Sequence, residues 1–163
     1  MRYHNITKDD MLNGDGLRAV LWVSGCSHCC KECHNKVTWD ANAGLPFDLE
    51  AKKELFEILS KDHILGLTLS GGDPLYGKNR AAILALAKEV KQKFPQKTIW
   101  LYTGFEWETV KGLAVFDYVD VVVDGEFVVD LKDTKLHWRG SSNQKVIDVK
   151  ASKAKGSVVL HTK

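Results

Sequence analysis

Four short runs of apolar, largely β-branched or aromatic residues punctuate the chain at 18–24, 65–70, 98–103 and 118–124, each bounded by Gly, Asp or other turn-forming residues. Runs of this length and make-up predict buried strands. Between them the apolar positions recur with the period of a helix. Asp48 is placed to cap a helix in which Leu55, Phe56, Ile58 and Leu59 share one face. Asn79 is placed to cap a second, in which Ile83, Leu86, Ala87, Val90 and Phe94 follow the spacing i, i+3, i+4, i+7, i+11. A shorter pattern over 106–114 would bury Trp107, Val110 and Leu113. Strands that alternate with helices imply right-handed βαβ units and a mainly parallel sheet, the α/β class. A complete eightfold barrel takes about 250 residues, so a chain of 163 is expected to form an open sheet or a partial barrel.

No internal repeat, low-complexity block or linker divides the sequence, and its length suits one domain. Residues 1–163 are accordingly read as a single unit, with the lysine-rich 151–163 as a C-terminal extension. Lys and Arg number 23 against 21 Asp and Glu, a balance that argues against a dedicated nucleic-acid or membrane-surface binder. No apolar run approaches the ~18–20 residues that span a bilayer, and the first residues do not read as a secretory signal. All four cysteines lie between positions 26 and 33, whereas a secreted disulfide scaffold would scatter them. The expectation is a cytoplasmic protein with one concentrated thiol site.

The position of that site is informative. The cysteines follow the first expected strand, Ser70-Gly71-Gly72-Asp73-Pro74 the second, Tyr102-Thr103-Gly104 the third and Asp124-Gly125 the fourth. The carboxyl ends of parallel strands open on one face, where ligands bind, so these stretches are expected to meet on one rim. Closely spaced thiolates in one loop suit an iron–sulfur cluster. The alternatives are zinc, with His28 or His34 completing the ligand set in place of the missing second cysteine pair, and inert buried thiols. The Gly71-Gly72 pair lets a ligand approach the backbone, or simply makes a tight turn. Asp73 there would repel a phosphate and suit a cationic amine. Asn13-Gly14-Asp15-Gly16 precedes its strand, so it is no dinucleotide fingerprint; it reads as a turn from which Arg18 could face an anion. Trp138 and Arg139 are residue types common at interfaces and are candidates for a docking edge; the bland reading puts Trp138 in the core and Arg139 in an internal contact.

The sequence also resembles a known family. Cys26, Cys30 and Cys33 have the Cys-x3-Cys-x2-Cys spacing of radical S-adenosylmethionine enzymes. Further blocks narrow the match: Asn13-Gly14-Asp15-Gly16, Ser24-Gly25-Cys26, Cys33-His34-Asn35-Lys36, Ser70-Gly71-Gly72-Asp73-Pro74-Leu75, Thr103-Gly104-Phe105, Val123-Asp124-Gly125 and Trp138-Arg139-Gly140-Ser141-Ser142-Asn143-Gln144. Together, over about residues 1–150, they resemble the activating proteins of anaerobic ribonucleoside-triphosphate reductase. The last block distinguishes these from activators of other glycyl-radical enzymes and from deazapurine-ring enzymes. A non-enzymatic iron–sulfur electron carrier would use four cysteines and need no glycine-rich rim.

The resemblance implies a partial (β/α) barrel of the radical S-adenosylmethionine type and a 4Fe–4S cluster on Cys26, Cys30 and Cys33 with one iron open. It implies that S-adenosylmethionine binds there and is cleaved reductively to a 5′-deoxyadenosyl radical. That radical takes a hydrogen atom from a glycine in the C-terminal segment of the reductase. Glu32, Cys33 and His34, through their backbone, and Gly72 would contact S-adenosylmethionine, with Asp73, Thr103 and Asp124 as further rim candidates. A reduced flavodoxin is the implied electron donor. Cys29 is not an implied ligand. Glu126 stands where the family carries Lys, and a carboxylate there could not pair with that of the cofactor, so it receives no role.

Overall fold

The computed structural model describes residues 1–33 and 35–162, so the contact expected of His34 lies outside the described residues. In chain order the strands are β1 (Arg2–Asp10), β2 (Arg18–Val23), β3 (Leu45–Pro46), β4 (Gly66–Gly71), β5 (Thr98–Tyr102), β6 (Val121–Asp124) and β7 (Lys145–Asp148). The four expected strands correspond to β2, β4, β5 and β6, and these pair in parallel. β1, β3 and β7 were not expected; they pair antiparallel and extend the sheet to the order β3-β1-β2-β4-β5-β6-β7. The reason is their make-up. β1 (Arg-Tyr-His-Asn-Ile-Thr-Lys-Asp-Asp) is polar and only half-buried, so it carries little apolar signal, and β7 has just four residues. The result is an α/β protein with a mixed sheet, parallel in its centre and open at β3 and β7.

The order of the parallel strands never reverses, and right-handed crossovers then put every connecting helix on the same face. These helices are α1 (Leu49–Leu59), α2 (Arg80–Lys93) and the single turn α3 (Trp107–Val110). Alternate strand residues Ala19, Leu21, Val23, Leu67, Leu69, Ile99, Leu101 and Val122 pack on that side against Leu55, Leu59, Ile83, Leu86, Val90, Trp107 and Val110. On the other face, Trp100, Val121, Val123 and Val146 form a smaller cluster with Tyr102 and Trp138.

Asp48 caps α1 as expected, its Oδ1 accepting from the Ala51 amide at 2.9 Å. Asn79 occupies the position before α2 but makes no side-chain cap. It is buried, and its Nδ2 donates to the Ser24 carbonyl at 2.8 Å and the Asp73 carbonyl at 3.3 Å, tying the end of β2 to the turn after β4. The helix expected over 106–114 stops after one turn, and a separate 3-10 turn forms at Ala114–Asp117. Gly112 between the two weakens a continuous helix. After α4 (Val149–Lys155), Gly156 turns the chain in the left-handed region, and the tail returns along β7 through the Val159 carbonyl and the His161 amide.

Candidate functional site

The rim forms where the strand ends converge. One cavity of about 130 Å³ is lined by Cys26, His28, Cys30 and Cys33 after β2, by Gly71, Gly72 and Asp73 after β4, by Thr103 and Gly104 after β5, and by Gly125 and Phe127 after β6. A second cleft, of about 450 Å³, lies on the face that the helices leave uncovered and shares the walls Cys33, Ser70, Tyr102, Phe127 and Gln144 with the first.

The cysteine loop is anchored at its base, where the Gly25 and Cys26 amides donate to the Thr38 and Trp39 carbonyls. Cys29 and Glu32 adopt left-handed φ angles of 51° and 58°, each a cost of about 1 kcal/mol or more for a residue with a side chain. Cys29 is exposed and does not line the cavity; the other three thiols are half-buried in its wall. Burial pushes the Cys26 thiol up to about 11 and raises that of Cys30, against which the Phe127 amide acts as a donor. Binding a metal here must therefore displace protons.

The rim loops touch closely because of two glycines. A Cβ on Gly72 would fall 2.5 Å from the Gly25 carbonyl oxygen and 2.7 Å from that of Thr38, and one on Gly104 would fall 2.5 Å from the His28 ring. Asp73 is 1% exposed and fastens three loops at once. Its Oδ1 accepts from the Leu75 amide at 2.8 Å; its Oδ2 accepts from the Thr103 hydroxyl at 3.0 Å and the Gly104 amide at 2.9 Å, and meets His28 Nε2 at 2.7 Å. The opposite ring nitrogen, Nδ1, lies 2.8 Å from Glu126 Oε2. The Asp73 hydrogen bond is the largest of the effects that raise the His28 pKa above its ordinary value, with Glu126 acting in the same direction.

Of the residues expected at the site, Cys26, Cys30, Cys33, Gly72, Asp73 and Thr103 meet at this cavity. Glu32 is exposed on the loop and does not line it. Asp124 does not line it either: its carboxylate is buried, Oδ2 accepting from the Trp107 amide and Oδ1 from that of Lys145, so it holds α3 and β7 to β6. Arg18 lies at the opposite end of β2, fully buried, and faces no anion from the rim. Its guanidinium donates to the Thr68 and Thr98 hydroxyls and to the Leu67 and Thr98 carbonyls. Trp138 is half-buried: it packs edge-on against Trp100 with centroids 5.0 Å apart, Tyr102 donates to its carbonyl, and with Arg139 it lines the second cleft. Arg139 donates to the Ser142 and Gln144 carbonyls of its own loop. In the sequence His28 reads only as an alternative metal ligand and Glu126 has no role; their signal is spatial, since the partners lie 45 and 98 residues apart along the chain.

This donor set fits an iron–sulfur cluster. Three free cysteines of one loop line a shared cavity beside a glycine-rich wall. Both ring nitrogens of His28 have carboxylate partners, and the other histidine of the zinc alternative, His34, lies outside the described residues.

Comparison with known proteins agrees. A family model described as a 4Fe-4S single cluster domain matches residues 12–147. The chain is 49% identical over 146 residues to the anaerobic ribonucleoside-triphosphate reductase-activating protein of Enterobacteria phage T4, covering 90% of this chain and 93% of that one. It is 45% identical to the protein of that name from Salmonella typhimurium (strain LT2) and 43% identical to that from Escherichia coli (strain K12), each over 150 residues, 90% of this chain and 97% of the relative. With cysteine loop, glycine-rich turn and rim in place, the chain belongs to the family of anaerobic ribonucleoside-triphosphate reductase-activating proteins.

Proposed function

We propose that this protein is a radical S-adenosylmethionine enzyme that activates anaerobic ribonucleoside-triphosphate reductase by generating its glycyl radical. The observation that carries the reading is the convergence of Cys26, Cys30 and Cys33 with Gly72 and Asp73 in one cavity at the carboxyl ends of parallel strands. Cys26, Cys30 and Cys33 would hold a 4Fe–4S cluster, leaving one iron without a protein ligand for S-adenosylmethionine. When bound, the cluster would supply the electron for reductive cleavage of S-adenosylmethionine.

The chain's own part is positioning. Gly71 and Gly72 would let the cofactor approach the backbone, and Asp73 with Thr103 keeps the turns after β4 and β5 together. The backbone of Glu32, Cys33 and His34 is proposed to complete the cofactor site, and Asp124 supports it from below by holding the β6 end in place. The sheet is read as a partial (β/α) barrel, one unit over 1–163 with 151–163 as an extension. Its uncovered face leads to the cysteine cavity through the second cleft, and the glycine-bearing segment of the reductase would close that side and exclude water. A reduced flavodoxin is the proposed electron donor. Among the described residues no helix is long and apolar enough to cross a membrane; the proposed location is the cytoplasm.

The test is anaerobic reconstitution with iron and sulfide, followed by reductant and S-adenosylmethionine. Release of methionine and 5′-deoxyadenosine is expected. A cluster-loaded protein that releases neither would overturn the enzymatic assignment in favour of electron transfer alone.

A further inference from the structure

The cysteine loop carries a side chain that no part of the reading above uses. His28 sits between Cys26 and Cys30 with its ring 10% exposed, and it reaches every other rim loop. Nε2 meets Asp73 after β4 at 2.7 Å, and Nδ1 meets Glu126 after β6 at 2.8 Å. The ring lies against Gly104 and packs edge-on to Phe105, centroids 4.6 Å apart, after β5. Meanwhile the loop includes two residues with side chains in the left-handed region, Cys29 and Glu32. Such a backbone persists only when its surroundings hold it.

We propose that His28 is a positioning residue for the cluster: its contacts with Asp73, Glu126 and Gly104 clamp the cysteine loop so that Cys26, Cys30 and Cys33 present their sulfurs together. Asp73 is the fixed jaw, since the Leu75, Thr103 and Gly104 donors hold its carboxylate whatever His28 does. Glu126 is the second jaw. Its side chain is 52% exposed, and the segment that carries it is held by Asn143 and Gln144, which donate to the Glu126 and Gly125 carbonyls. The same segment brings the Phe127 amide to the Cys30 sulfur. The 138–144 loop is thereby wired to the cluster loop through residues 125–127. This inference rests on the assignment of the cavity as a cluster site.

The experiment follows cluster lability, which needs no turnover. Reconstituted wild-type protein, His28→Ala, Glu126→Ala and the double variant are exposed to excess iron chelator under nitrogen, and the loss of cluster absorbance is timed. His28→Ala should lose its cluster about 10–100-fold faster, the usual consequence of removing a group that orients metal ligands. Its circular dichroism should stay native, and the paramagnetic resonance signal of its reduced cluster should change. Glu126→Ala should be faster by a smaller factor, and the double variant no faster than His28→Ala, because Glu126 acts through the ring. Equal lability and an unchanged resonance signal in His28→Ala would overturn the proposal. So would a double variant in which the two effects multiply. Should His28→Ala fail to fold, Glu126→Ala decides, and wild-type lability there overturns it. A wild-type protein that binds no cluster would remove the reading of the site and this proposal together, whereas equal lability would remove only the role of His28.

Discussion

Cys26, Cys30 and Cys33 line one cavity, and Cys29, one residue from Cys30, turns outward on a left-handed backbone. Cys29→Ala should therefore keep full cluster absorbance, and Ala at any of the other three should lose it; iron analysis of the four single variants decides, and a cluster-free Cys29→Ala would require a different ligand register. Gly72 has equally little freedom. An added Cβ would press on the Gly25 and Thr38 carbonyl oxygens at 2.5 and 2.7 Å, so the turn after β4 would have to move off the cysteine loop. Overpacking of this kind costs about 1–3 kcal/mol, and Gly72→Ala should lower both the melting temperature and the iron content. Retention of both would mean that the two loops separate freely. Residue identities of this sort are legible in sequence where spacing carries them, as it does for the cysteines and the Gly-Gly-Asp turn. They are not legible where the contact is purely spatial. The charge of Arg18 suggested an anion, yet the fold uses it on buried hydroxyls and carbonyls; Asp124, a rim candidate by position, accepts from two backbone amides.

At the level of elements, two residues that both read as helix caps do different work. Asp48 caps α1, and its loss should cost about 1 kcal/mol. Asn79 bridges the Ser24 and Asp73 carbonyls; the Tyr76 amide also serves the Asp73 carbonyl, so Asn79→Ala would take the side-chain donor from the buried Ser24 carbonyl, about 1–3 kcal/mol. Denaturation of the two variants under the same conditions should place Asn79→Ala lower, and only Asn79→Ala should also weaken cluster retention, since it joins the two loops of the rim. The reverse order would show that the tie at Asn79 is incidental. The parallel strands and the first two helices were readable because burial on one or both faces imposes a strong apolar period. β1 was hidden by its polar, half-buried make-up, β7 by its four-residue length at the sheet edge, and the third helix by the glycine that divides it.

For the whole molecule, the sheet puts every ligand-facing loop on one rim and leaves the helix-free face open beside it. Burial pushes the Cys26 thiol up to about 11, so at neutral pH the metal-free protein holds that proton and cluster formation releases it. A thiol with a raised pKa gains thiolate as pH rises towards that value, so iron bound during reconstitution should increase from about pH 6.5 to about pH 8.5; a flat or falling profile would contradict this. This rim, once loaded with its cluster, is expected to install a radical on another protein. The most direct measurement mixes reconstituted protein, reductant, S-adenosylmethionine and anaerobic ribonucleoside-triphosphate reductase under nitrogen and records the paramagnetic resonance spectrum. A glycyl-radical signal on the reductase is expected with the wild-type protein and none with Cys26→Ala, Cys30→Ala or Cys33→Ala. A cluster-loaded wild-type protein that cleaves S-adenosylmethionine yet leaves the reductase without that signal would contradict it.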